Sequence, residues 1–163
     1  MPPGEAAVGL CLGRAGHPPL LRAGVPVSAS DATRTEAMGP PLACLFLAAL
    51  APRARGRLVL TGDSAAVVDL LNRCSSPADL FLFNIRELVR DVLRGWGYRA
   101  HWVPRTQNAE CDALANSART SRNVTLTASP AVPAAVLDAW NQLAIEFTRR
   151  FSVGGHFSVG PSR

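Results

Sequence analysis

The chain has 163 residues, of which 48% are hydrophobic and 18% charged, with a formal net charge of +5. That is enough length for one domain with an appendage and too apolar for wholesale disorder. The longest apolar run, Leu42 to Ala51, is too short to cross a bilayer, and no basic region precedes an apolar stretch near Met1, so an intracellular protein without membrane contact is expected.

All 17 basic residues are arginine. The positive excess favours an anionic partner such as nucleic acid, although the arginines are scattered, which reads first as codon composition. Cysteines stand at 11, 44, 74 and 111 with no Cys-x-x-Cys pair, and histidines 17, 101 and 156 lack zinc-finger spacing. Reduced thiols are the expected state.

Residues 6–13 and 20–27 read as two strands of a hairpin around Gly16-His17-Pro18-Pro19. A polar loop, 28–35, leads to Leu42–Leu50, apolar on nearly every face as in a buried helix. Residues 57–61 read as a strand ending in Gly62-Asp63-Ser64, followed by helical spacing over 65–71. A helix is predicted from about Pro77 to Arg94, closed by Gly95-Trp96-Gly97. Its Arg86, Arg90 and Arg94 recur every four residues and read as a solvated face. Residues 98–103 alternate as a strand, with His101 in a structural role, and 108–118 read as a helix.

Residues 120–132 look like a linker, and 133–163 like a helix with a tail. An apolar stripe over 133–151 (Val136, Trp140, Leu143, Phe147) is suited to docking on the domain or to a protein partner. Residues 1–119 then form the principal domain, and the element order implies an α/β layer fold.

Three carboxylates sit where an α/β sheet gathers its chemistry, at strand ends and the loops beyond them. They are Glu36, before the apolar helix; Asp63, at a strand end; and Asp112, in the first turn of a helix. Clustered carboxylates repel unless a cation joins them. Mg²⁺ suits hard oxygen ligands and phosphate substrates, and Mn²⁺ substitutes for it. Each residue also has a plain structural reading: Thr33-x-x-Glu36 fits a capping box, Asp63 a helix cap, and Asp112 a favourable charge at a helix N-terminus.

The segment His101-Trp102-Val103-Pro104-Arg105-Thr106-Gln107-Asn108-Ala109-Glu110-Cys111-Asp112-Ala113-Leu114-Ala115 resembles the signature of the ribonuclease H family. Leu58 to Ser64 resembles that family's strand ending in Asp-Ser, Thr35-Glu36-Ala37 its second acidic motif, and residues 2–12 the start of its second strand. The likeness runs over 2–118 and points to the plant and retroelement-like branch. It implies a ribonuclease H-like mixed sheet flanked by helices, and the helix and tail at 133–163 are a C-terminal helical appendage outside the likeness. It implies Glu36, Asp63 and Asp112 as catalytic, metal-binding carboxylates, and Arg105 and Asn108 as substrate contacts. The activity implied is Mg²⁺- or Mn²⁺-dependent endonucleolytic cutting of the RNA strand of RNA–DNA hybrids.

The family's fourth carboxylate lies on a first strand at the centre of its sheet, and this sequence opens at the second strand. The first strand is expected upstream, and without it the hairpin and the strands at 57–61 and 98–103 lose their shared neighbour, so activity should be weak. Gly39-Pro40-Pro41 should restart the helix near Pro41 and leave Glu36 on its own turn. No histidine stands in the loop before Asp112. A catalytically degenerate nucleic-acid-binding domain is the competing reading. A remoter one takes Gly62-Asp63-Ser64 as an esterase motif with Ser64 as nucleophile, but the late Asp-x-x-His it needs is missing.

Overall fold

A computed structural model describes residues 6–29, 31–73 and 76–152. Its strands form two sheets. In the first, β1 (Ala6–Leu12) and β2 (Leu21–Val27) make an antiparallel hairpin, running from the pair Ala6 and Val27 to the pair Leu12 and Leu21. Ala6, Val8 and Leu10 alternate into the core, as the period of two requires. In the second sheet, β3 (Arg57–Gly62) lies parallel to β4 (Gly97–Trp102). Among the described residues no strand pairs with the free edge of β1 or with that of β3.

Residues 120–132 are not the featureless linker expected from their Ser, Thr, Pro and Ala content. Thr125–Ala128 form β5, antiparallel to the other edge of β2. Tertiary pairing with an available edge overrides weak local strand propensity here.

The Glu36 motif lies on a short helix, α1 (Ala32–Ala37), followed directly by α2 (Gly39–Leu50). Asp31 caps α1, accepting from Arg34 N at 2.8 Å, so Thr33 and Glu36 form no capping box. Met38 separates the helices, and the prolines fall in the first turn of α2, where a missing N–H costs no hydrogen bond. Glu36 therefore sits on a turn of its own.

After α3 (Ala65–Asn72), α4 spans Leu80–Val92 and starts three residues later than Pro77. The cause is Asp79, whose carboxylate accepts from Leu82 N at 3.0 Å and caps the helix. The same carboxylate takes the Arg34 guanidinium at 2.6 Å, joining α1 to α4. That hydrogen bond, aided by the backbone amides, holds Asp79 below the usual carboxylate range. The arginine face of α4 is only partly solvated. Arg86 is buried, and Arg86 and Arg90 both donate to the carbonyl of Arg73, at 3.5 and 2.7 Å. They satisfy the C-terminal end of α3, where cations are favoured.

The helix read from 133–151 is α6 (Ala134–Ser152), and its stripe is covered. Trp140 and Phe147 are fully buried, in one core with Leu42, Leu45 and Phe46 of α2 and Ile85 and Val89 of α4. Trp140 meets Phe46 edge to face at 6.2 Å and donates its indole N–H to the Leu42 carbonyl at 2.9 Å. Cys44 lies in the same core, and burial pushes its thiol up to about 12. Among the described residues no helix is long and apolar enough to cross a membrane.

The opposite face of the hairpin carries α5 (Ala109–Ser121). Gly9 and Gly24, which face each other across β1 and β2, make that packing possible. A Cβ on Gly9 would lie 1.8 Å from the Cys111 carbonyl oxygen, and one on Gly24 would lie 2.2 Å from that of Leu114. Backbone atoms cannot yield as a flexible side chain can.

Two outcomes follow for stability. Trp140→Ala should cost about 3–5 kcal/mol in denaturant unfolding, from lost burial and an orphaned carbonyl. Gly24→Ala should cost about 1–3 kcal/mol, because α5 must lift from the sheet. The expected sign of an increase in α5 amide exchange distinguishes this second loss from general loosening.

Candidate active site

The carboxyl ends of β3 and β4 make the edge at which the acidic residues meet. Asp63 follows the last residue of β3, and its side chain is only 12% exposed. The chain leaving β4 is held to it by two bonds. Val103 N donates to the Gly62 carbonyl at 2.9 Å, and the Trp102 indole donates to the Asp63 carbonyl at 3.1 Å. A single 3₁₀ turn, Arg105–Asn108, then delivers the chain into α5, with Glu110 and Asp112 in the first helical turn.

That path places Arg105 between the two aspartates. Its Nε is 3.9 Å from Asp63 Oδ2 and 3.6 Å from Asp112 Oδ2. One cation within reach of both fixes the two carboxylates as neighbours, although they are 49 residues apart in sequence. The Arg105 side chain is 83% exposed, so this ion pairing is solvent-screened and easily displaced.

Glu36 enters from α1. Its carboxyl is raised above the ordinary glutamate value by burial first, then by the negative charges of Asp63 and Asp112, with Arg105 opposing. Glu36 as a residue is nevertheless solvent-exposed, so the desolvation is partial, and the charges of Asp63 and Asp112 add to it. All three acids thus share one electrostatic neighbourhood. Among the described residues, however, no three acidic, histidine or cysteine groups converge closely enough to hold a metal ion as they stand.

The remaining expected residues are also placed. Asn108 occupies the N-cap position of α5, half-buried, and makes no capping bond with its side chain. Ser64 is a helix cap, its oxygen accepting from Val67 N at 3.4 Å, and among the described residues no histidine bonds to it. Among the described residues nothing activates this hydroxyl as a nucleophile. It also frees Asp63 from the capping role, since its neighbour fills it. His101 lies exposed on β4.

Sequence reasoning did not single out Trp102. It is 54% exposed beside the acidic edge. A large aromatic on an alternating strand looks like core, and its exposure and its bond to the Asp63 backbone show otherwise.

With this geometry in view, the fold has counterparts. The chain carries a ribonuclease H-like domain. Residues 48–118 match the family described as Reverse transcriptase-like, a segment that holds Asp63, Arg105, Asn108 and Asp112 and begins after Glu36. The crystal structure of RNase H1 from the halophilic archaeon Halobacterium salinarum is similar, with a TM-score of 0.60 and 28% identity. The likeness covers 71% of this chain and 86% of that one. No curated protein matches the chain.

The electrostatics give a direct test. A pKa raised by folding means that Glu36 favours the folded state below its unfolded value, and that this contribution is lost as pH rises through the folded value. Glu36→Gln should therefore raise the melting temperature of the metal-free protein, by an increment that grows as pH rises from the ordinary glutamate range through the raised folded value. An increment independent of pH would show that the three carboxylates do not sense one another.

Proposed function

We propose that the chain is a nuclease-family domain that binds RNA–DNA hybrids at the β3–β4 edge, with Glu36, Asp63 and Asp112 as its divalent-cation carboxylates. The observation that carries this is Arg105 held between Asp63 and Asp112, with Glu36 sensing both charges. Three carboxylates kept together against their repulsion are an arrangement that stability alone does not favour.

The donor chemistry suits Mg²⁺ or Mn²⁺, since all three groups offer hard oxygens. Their spacing does not make a finished ligand set, and Arg105 supplies positive charge where an ion would. Such an ion, when bound, polarises a phosphodiester and lowers the pKa of its water. The chain's own residues do the rest. Asp63 and Asp112 hold the negative charge in place, and the exposed Arg105 turns out to a substrate phosphate as a bidentate donor. Asn108 offers its unused amide to the sugar-phosphate backbone or a 2′-hydroxyl, the group that distinguishes RNA from DNA.

A second reading, a binding domain without catalysis, is favoured by the incomplete convergence of the acidic groups. A labelled hybrid duplex, titrated with the full chain with and without Mg²⁺, separates the two. The expected result is salt-dependent binding with little cleavage. Asp63→Asn should leave affinity intact, because phosphate contacts dominate it. Arg105→Ala should weaken binding and reduce the salt slope by about 1. Appending a strand that carries an aspartate, able to pair with the free edge of β1, should give Mg²⁺-dependent cutting of the RNA strand. Failure of that extended, folded protein to cut would leave the binding-domain reading. Absence of hybrid binding by the full chain would overturn both.

A further inference from the structure

The glycine seat under α5 brings together two thiols that lie 100 residues apart in sequence. Cys11 is the penultimate residue of β1, Cys111 lies in the first turn of α5, and their Sγ atoms are 3.5 Å apart. We propose that Cys11 and Cys111 form an oxidation site, in which a peroxide joins the two sulfurs into a disulfide that staples β1 to the start of α5.

The surroundings favour such a bond. Gly9, two residues before Cys11, lets the Cys111 backbone settle directly on the strand. Arg22, the cross-strand partner of Cys11, forms an ion pair at 2.6 Å with Glu110, the residue before Cys111. The thiol pair and the ion pair thus run side by side between sheet and helix, holding the same two backbones at one separation. A disulfide needs its sulfurs about 2.05 Å apart, so closure asks for about 1.5 Å of movement, within reach of side-chain rotation. Cys11 is solvent-exposed and Cys111 half-buried, whereas Cys44 is sealed in the core.

The chemistry balances with hydrogen peroxide as the two-electron oxidant. The exposed Cys11 sulfur attacks one peroxide oxygen, the O–O bond breaks, and a sulfenic acid forms with release of water. The Cys111 sulfur then attacks the Cys11 sulfur. The S–O bond breaks, the S–S bond forms, and the hydroxide leaves as water with the Cys111 proton. In sum, two thiols are oxidised and one peroxide is reduced to two waters.

The staple also acts on the acidic edge. Asp112 follows Cys111 directly, so the oxidised form pins the turn from which Asp112 approaches Asp63. This last consequence rests on the proposed nuclease reading, whereas the crosslink itself does not.

The test uses the full chain, reduced and then exposed to a few equivalents of hydrogen peroxide under native conditions. Remaining thiols are blocked, and the digest is analysed by mass spectrometry without reductant. The expected product is one linked peptide pair containing residues 11 and 111, lighter by two hydrogens and reversed by dithiothreitol. Its melting temperature should exceed that of the reduced form by roughly 5–10 °C, as a long closed loop implies. Cys11→Ser and Cys111→Ser should each abolish the link and the shift, and Cys44→Ala should abolish neither. The mapping in the unmodified chain stands whether or not the variants fold. Separate over-oxidation of the two thiols, linkage to another cysteine, or equal linkage in denaturant would overturn the proposal. Absence of hybrid binding by the reduced chain, with the crosslink still formed on oxidation, would count against the nuclease reading alone.

Discussion

The close approach of α5 to the β1–β2 hairpin is the constraint on which the site depends. Most of α5 is exposed, and Ala118 is its one fully buried residue, so little apolar burial holds it. It is held instead by backbone proximity over Gly9 and Gly24 and by the Arg22–Glu110 ion pair. Everything that α5 contributes, from Glu110 and Cys111 to Asp112, occupies its place because two strands present no Cβ at one crossing. Gly9 and Gly24 are directly paired, so the missing side chains make one continuous trough.

A second constraint works in the opposite sense. The hydrophobic core, built from α2, α4, α6 and the inner face of the hairpin, lies on the other side of the first sheet from α5. It sets the frame from which α1 projects Glu36, through the Arg34–Asp79 bond that joins α1 to α4. The parallel strands β3 and β4 bring Asp63 and the 3₁₀ turn to the same edge. Like charges are gathered there at some cost in stability, and Arg105 offsets part of it. Sites that bind cations or phosphates commonly carry such a cost in the empty state.

Much of the architecture was legible from residue pattern. Short apolar runs around Gly16-His17-Pro18-Pro19 marked the hairpin, alternation marked β4, the all-apolar run marked α2, and glycines and prolines marked several boundaries. The prolines at 40 and 41 were rightly read as a restart that isolates Glu36. The misreadings share a cause. Arg86 looked solvated because i, i+4 charges usually are, yet the Arg73 carbonyl at the end of α3 draws it inward. Residues 125–128 looked like linker because their strand character depends on the free edge of β2. Thr33 looked like a cap because Thr-x-x-Glu is a capping spacing, yet the helix begins earlier, and the Asp31 carboxylate takes the Arg34 N–H.

By itself, then, the sequence determined the order and type of the elements other than α1 and β5, the ribonuclease H-like resemblance and the choice of three acidic candidates, because these depend on local periodicity and short motifs. Tertiary structure alone decided what those positions become. Arg105 bridging two aspartates, Trp102 anchored to the Asp63 backbone and Cys11 meeting Cys111 all join segments distant in sequence. Whether such pairs meet is set by strand register and by how closely one backbone can lie on another, and neither is written in any local window of residues.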